Sequence, residues 1–381
     1  MNQSNSKWTI FPILFGFFVM GFVDVVGIST NYVKHDFGLS DTLANLIPMM
    51  VFVWFAVFSI PTGILMGWAG RRNTVAIALG MTAIAMLLPL FLYDFVSILL
   101  AFALLGIGNT LLQVSLNPMV AGIVSPGKIT SVLTLGQFIK AVSSFLGPVI
   151  AGAAAAYWGD WKLIFIVYAV TTVLSMVWLL CSVSGKEQRI ESNVSFSSTL
   201  SLFKDRFITM LFLGILFIVG IDVGLNTSIP KLLMERTSMS LSEAGLGTSL
   251  YFVARTVGSF LGALLLVRWA AGRFLRVSMI VAIVSFVLLL CVDVLWIMLV
   301  LIVVIGLSCS NVFSILFSYA LQHKPERDNE ISALMIMGVS GGALVTPVMG
   351  IVADGFGQVA GISVLLLCLF YLSFASFLLK K

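Results

Sequence analysis

The sequence predicts an all-α integral membrane protein of twelve transmembrane helices arranged as two pseudo-symmetric six-helix halves. Three observations predict it. Of the 381 residues, 60% are hydrophobic and only 10% charged, and the mean hydropathy is +1.12, far outside the soluble range. The apolar residues fall into stretches long enough to cross a bilayer as helix, which takes about 20 residues. Short sequence pieces then recur at a nearly constant offset between the first and second halves of the chain.

In chain order the predicted spans are 9–33, 42–67, 73–93, 95–124, 129–156, 161–183, 207–233, 242–267, 273–292, 295–321, 330–353 and 357–379. None shows the period-2 alternation of a membrane β-barrel strand. Lys7 before the first apolar run resembles the start of a secretory signal. That run is too long for a signal core and no small-residue cleavage site follows it, so it is read as a mature helix. Ser184 to Arg206 is polar and mixed in charge, as expected of a cytoplasmic linker. The expected division is therefore a half over 1–183, a linker over 184–206 and a half over 207–381.

Repetition supports that division. Gly21-Phe22-Val23-Asp24-Val25 recurs as Gly220-Ile221-Asp222-Val223, Leu39-Ser40-Asp41 as Leu241-Ser242-Glu243, Gly63-Ile64-Leu65 as Gly262-Ala263-Leu264, and Pro148 as Pro347. The shared shift links spans 1 and 7, 2 and 8, and 5 and 11, so the halves run in the same orientation.

Basic residues set the expected topology. With the N-terminus inside, 15 of the 21 Lys and Arg residues fall in inner segments, while Lys34, Lys162, Lys231 and Arg236 lie outside and Lys140 and Arg255 lie within spans. That asymmetry predicts both termini in the cytoplasm of a multi-pass protein of the bacterial inner membrane. The net charge of +5 then records topology and calls for no nucleic-acid partner.

Enzymatic chemistry finds little support. His35 and His323 fall in loops on opposite sides, and Cys181, Cys291, Cys309 and Cys368 follow no metal-binding spacing. No phosphate-binding Gly-rich loop precedes a Lys-Ser/Thr pair, so ATP does not drive the protein directly. No cofactor or metal is expected. A receptor or sensor would bring a sizeable soluble domain, which the sequence lacks, and nothing in it suggests assembly beyond a monomer in the lipid bilayer.

Four ionisable residues lie deep in the spans: Asp24, Lys140, Asp222 and Arg255. A charge at that depth is costly unless paired or facing water, so such residues mark substrate or ion pathways. Asp24 with Lys140 and Asp222 with Arg255 would give one acid–base pair per half. Three roles follow from the chemistry. The pairs could be static and fix helix register, the acids could take up a proton when a partner withdraws, or Lys140 and Arg255 could grip an anionic group on the cargo.

Two parallel halves are the arrangement of the major facilitator superfamily, and local motifs resemble it. The loop after span 2, Gly63-Ile-Leu-Met-Gly67-Trp68-Ala69-Gly70-Arg71-Arg72, is similar to that superfamily's signature, but Gly67 replaces its Asp and Trp68 its usual Arg. Within the superfamily the chain resembles the branch of the fucose-proton symporter and the glucose/galactose transporters. The resemblance lies in Gln113-Val-Ser-Leu-Asn117-Pro118, Leu133-Thr-Leu-Gly-Gln137, Val219-Gly-Ile-Asp222-Val, Ala254-Arg255 with Gly258 and Gly262, and Gly341-Gly-Ala-Leu-Val-Thr-Pro347-Val-Met-Gly350. It runs through most of the chain.

The resemblance implies a central cavity lined by spans 1, 5, 7 and 8, which carry all four deep charges. It also marks departures: the branch's coupling Glu is Gln113 here, its sugar-contacting Asn is Lys140, and its span 1 coupling Asp falls near Gly27 or Ile28, about one turn from Asp24. The expectation is a secondary active transporter that imports a small polar solute, a sugar or sugar acid, by proton symport with alternating access. Asp24 and Asp222 are the proton candidates, and Lys140 and Arg255 their charge partners or anion-binding groups. Gln113, Asn117, Gln137 and Asn226 with Asn311 would offer amides to the solute, and Phe138, Tyr251, Phe313 and Phe317 apolar walls. Sodium coupling, uncoupled sugar transport and proton-coupled export of amphipathic compounds are the alternatives.

Overall fold

The computed structural model describes residues 3–39, 43, 46–183, 195–237 and 241–379. Among them all regular structure is helical. The first half holds α1 (Gln3–Met20), α2 (Val25–Asp36), α3 (Leu46–Ala69), α4 (Arg71–Phe91), α5 (Phe95–Ile123), α6 (Ile129–Trp158) and α7 (Leu163–Ser182). A short α8 (Phe196–Ser201) leads to α9 (Arg206–Thr237), α10 (Leu241–Leu265), α11 (Ala271–Cys291), α12 (Leu295–Cys309) and α13 (Val312–His323). The chain closes with α14 (Asp328–Met337), α15 (Gly341–Phe356) and α16 (Gln358–Leu378). Every predicted span holds helix. Nine helices among the described residues are long and apolar enough to cross a membrane, and Thr9–Asp24 and Ser249–Leu265 are shorter apolar helices.

These helices gather into two compact units that differ from the sequence halves. Unit 1 comprises Met1–Pro126, Ile139–Leu202 and Lys324–Met337, and unit 2 comprises Gly127–Phe138, Phe203–His323 and Gly338–Lys381. Residues 184–194 of the expected linker lie outside the described residues. The exchanged segments have identifiable holds. In unit 2, Ser131 Oγ donates to Ala263 O at 2.6 Å and Thr130 Oγ1 meets Ser318 Oγ at 2.6 Å.

In unit 1 the exchanged α14 answers a proline. Pro118 inside α5 has no N–H, so the carbonyl of Val114 is freed from the helical ladder. Ser332 Oγ of α14 donates to it at 2.5 Å. Beside it, Gly70 takes φ 83° between α3 and α4, a left-handed turn that a side chain disfavours. The turn delivers Arg71 to the first position of α4.

Arginines also finish helix ends, whose last carbonyls lack intrahelical donors. Arg72 donates to Leu180 O of α7 at 2.6 Å. In unit 2, Arg276 does the same for Ser376 O and Leu379 O at the end of α16, at 3.1 and 3.2 Å. Cationic residues at these helix ends thus serve packing.

Candidate functional site

Span 1 is not one helix. Between α1 and α2 the backbone tightens into a 3-10 turn over Gly21–Asp24, and such discontinuities expose backbone groups for coupling ions in transporters. The Met20 carbonyl accepts from Asn109 Nδ2 of α5 at 2.6 Å. Gly21 permits the close approach of α6: a Cβ there would lie 2.5 Å from Lys140 O. The turn ends on Asp24, which is half-buried.

Asp24 accepts a short hydrogen bond from Ser144 Oγ of α6. Ser144 Oγ also lies 3.0 Å from Lys140 O. The expected Asp24–Lys140 ion pair is absent: Lys140 approaches this cluster through its carbonyl, and among the described residues no carboxylate is within ion-pair distance of its amine. A polar neutral group has taken the place of the expected base.

Unit 2 treats its acid differently. Asp222 lies in the unbroken α9, and Arg255 Nη1 of α10 approaches its Oδ2 at 2.6 Å. Tyr251 Oη, one turn earlier on α10, donates to Asp222 Oδ1 at 2.7 Å. The side chains of Asp222 and Arg255 are 15% and 22% exposed, low enough for the charges to depend on one another. Tyr251 is fully buried, so its ring packs in the core while its hydroxyl serves the carboxylate.

The remaining candidates divide between packing and open roles. Gln113 donates to Asn109 Oδ1, and Asn117 Nδ2 donates to Gln113 O, both at 2.8 Å and both buried along α5. Asn311, at the turn between α12 and α13, donates to Gly258 O at 2.9 Å and is buried. The donors of these three amides hold helices, a correction to the reading of them as cargo groups. Phe317 is fully buried and packs on Phe313 at 5.5 Å between centroids. Phe138 meets Phe260 at 5.1 Å. Gln137 is half-buried and Asn226 exposed.

Reading the sequence missed Asn109, Ser144 and Tyr168. Signals existed for two of them: Asn109, Gln113 and Asn117 stand four apart on one helix face, and Ser144 stands four after Lys140. Tyr168 carried none.

A second polar cluster lies at the α3–α4 turn. Arg71 forms an ion pair with Asp328 of α14, donates through Nε to Asn329 Oδ1 at 2.9 Å, and donates through Nη1 to Pro118 O at 2.9 Å. The acid that pairs with Arg71 thus comes from the other sequence half. Burial holds the Asp328 carboxyl above the usual carboxylate range, and Arg71 opposes that shift.

The sequence profile of the Major Facilitator Superfamily matches residues 12–236 and 211–381. The glucose/galactose transporter of Brucella abortus is 25% identical over 396 residues, covering 98% of this chain and 94% of that protein. The putative glucose/galactose transporter of Helicobacter pylori strain J99 is 25% identical over 381 residues, 94% of this chain and 93% of its own. Among solved structures, the Escherichia coli fucose:proton symporter superposes with a TM-score of 0.83 at 17% identity, over 97% of this chain and 98% of that one. At that identity the likeness concerns the fold.

Proposed function

The chain belongs to the major facilitator superfamily, and from that premise we propose that it imports a small sugar or sugar acid across the bacterial inner membrane by proton symport. It is a multi-pass membrane transporter and not an enzyme. The curated relatives named for glucose and galactose support sugar as the cargo class.

One observation carries the coupling assignment. Asp24 is a carboxylate within a predicted span, at a helix discontinuity, and its hydrogen-bond partner is a neutral hydroxyl. A carboxylate held by a neutral donor exchanges its proton without first dismantling an ion pair. Asp222 is neutralised by Arg255 and takes second place as a proton site.

Lys140 adds a reading of the cargo. Its half-buried amine has no carboxylate partner among the described residues, which favours a solute with an anionic group over a neutral hexose. Gln137, one turn before on α6, supplies an amide on the same helix.

The test is transport in proteoliposomes with D-glucose, D-galactose, D-glucuronate and D-galacturonate, with and without an inward proton gradient. Asp24→Asn should abolish gradient-driven accumulation while leaving counterflow, and full accumulation in that variant would refute the coupling assignment. Lys140→Gln should lower uronate counterflow about tenfold relative to hexose, the weight of one charge-assisted hydrogen bond. An unchanged uronate-to-hexose ratio would remove the anion-binding role.

A further inference from the structure

Two buried hydroxyls close to Asp24 have no protein partner. Tyr168 Oη of α7 and Ser143 Oγ of α6 are both without one among the described residues, and the residues are 2% and 0% exposed. Buried polar groups are nearly always satisfied, so each orphan calls for a ligand or an ordered water.

Ser143 lies against the turn in span 1, and Tyr168 lies against the next turn of α6. Ser143 Oγ is 2.9 Å from where a Cβ of Gly21 would stand, and Tyr168 Oη is 3.0 Å from that position at Gly147, one turn beyond Ser144 on α6. Phe22, two residues before Asp24, stacks on the Tyr168 ring at 3.7 Å between centroids. The Asp24 charge lies within electrostatic reach of the phenol. Tyr168 on α7 is the titratable group that faces this region, and Lys140 on α6 borders it through its backbone carbonyl. α5 brings the amides Asn109 and Gln113, and α3 carries no charged residue.

We propose that Ser143 and Tyr168, together with Asp24 and Ser144, form a buried hydration pocket that holds the coupling proton, with Tyr168 as the positioning residue. This rests on the reading of Asp24 as the proton site. A water in the pocket accepts from the two hydroxyls and donates to the carboxylate, the three hydrogen bonds typical of a buried water. On loading, a hydronium ion from the aqueous side gives its proton to a carboxylate oxygen of Asp24: one O–H bond of the hydronium breaks, one forms on the acid, and a neutral water is left. The water in the pocket goes on donating to the carbonyl oxygen of the neutral acid. A sodium ion would occupy oxygen lone pairs and leave both hydroxyl protons buried without acceptors, so the donor-rich lining favours a proton over an alkali cation.

The purified protein in detergent is titrated by infrared spectroscopy, following the protonated-carboxyl band that Asp24→Asn removes. Tyr168→Phe keeps the ring stack and deletes one donor to the pocket, and should raise the pH midpoint of that band by about one unit, the worth of one hydrogen bond. Ser143→Ala should move it in the same direction by less. An unmoved midpoint in Tyr168→Phe overturns the pocket while leaving Asp24 as the proton site. Absence of any band removed by Asp24→Asn defeats the coupling assignment and the pocket with it. A midpoint lowered in the unsubstituted protein by replacing choline chloride with sodium chloride shows sodium competing for the pocket and overturns the inference.

Discussion

Asp24 and Asp222 occupy repeat-related positions, yet one sits in a broken helix against a serine and the other in an unbroken helix against an arginine and a tyrosine. The same inversion recurs 12 to 14 residues later in each half. Asp36 accepts from Tyr93 Oη at 2.5 Å and from Trp161 Nε1 at 3.1 Å. Its counterpart Arg236 pairs with Asp293, the counterpart of Tyr93, and donates to Leu290 O at 3.1 Å. The duplication preserves which positions meet and leaves their chemistry free. Contact geometry follows from helix packing, whereas any pair with complementary donors and acceptors satisfies it. One half can therefore keep an exchangeable acid while the other keeps a neutralised pair.

The strongest way to break this contrast is to unpair Asp222. Arg255→Met takes the guanidinium partner from a carboxylate in a largely buried site, and should cost about 3 kcal/mol of stability, read by denaturant unfolding in detergent micelles. Asp222→Asn combined with Arg255→Met should recover more than half of that loss. A stable single variant would mean that the unit 2 pair is no more interdependent than the Asp24–Ser144 contact.

The Arg71–Asp328 cluster gives a smaller effect of the same kind. Arg71→Ala strands Asp328 and should cost about 2 kcal/mol, whereas Asp328→Asn, which keeps a hydrogen-bonding partner and removes a burdened charge, should cost less than about 1 kcal/mol. The pH dependence has a definite sign. An acid whose native value is raised binds its proton more tightly folded than unfolded, so its contribution is present below the ordinary carboxylate value and is lost as pH rises through the raised one. Asp328→Asn should flatten that segment of the stability-versus-pH curve, and an unaltered slope would place the titration elsewhere.

Smallest are the hydroxyl deletions. Tyr251→Phe and Ser144→Ala each remove one donor to a carboxylate and should cost about 1 kcal/mol. They differ in function: Ser144→Ala should change the pH dependence of gradient-driven uptake, and Tyr251→Phe should not. Equal shifts in both would erase the distinction between the two acids.

Much of this architecture was legible from the residues. Long apolar runs dictate helices because a backbone in hydrocarbon must satisfy its own hydrogen bonds, and the charges at Asp24, Lys140, Asp222 and Arg255 stand out because burying them is costly. The separation of Asp222 from Arg255 crosses two spans, and opposite charge with shared depth sufficed to suggest the pair that forms. The same rule suggested Asp24 with Lys140, and there it failed, because charge complementarity cannot see that α6 presents its carbonyl and Ser144 to the turn while the amine lies elsewhere.

By itself, then, the sequence determined the membrane class, the helical spans, the duplicated halves and the positions of costly charge, all of which follow from local composition and periodicity. Tertiary structure alone decided which partner each charge has. It also decided that Ser332 answers Pro118, that Asp328 pairs with Arg71, and that the hydroxyls of Tyr168 and Ser143 have no partner among the described residues. Those outcomes depend on rotation and register of whole helices, set by the sum of packing along their length, which no short motif encodes.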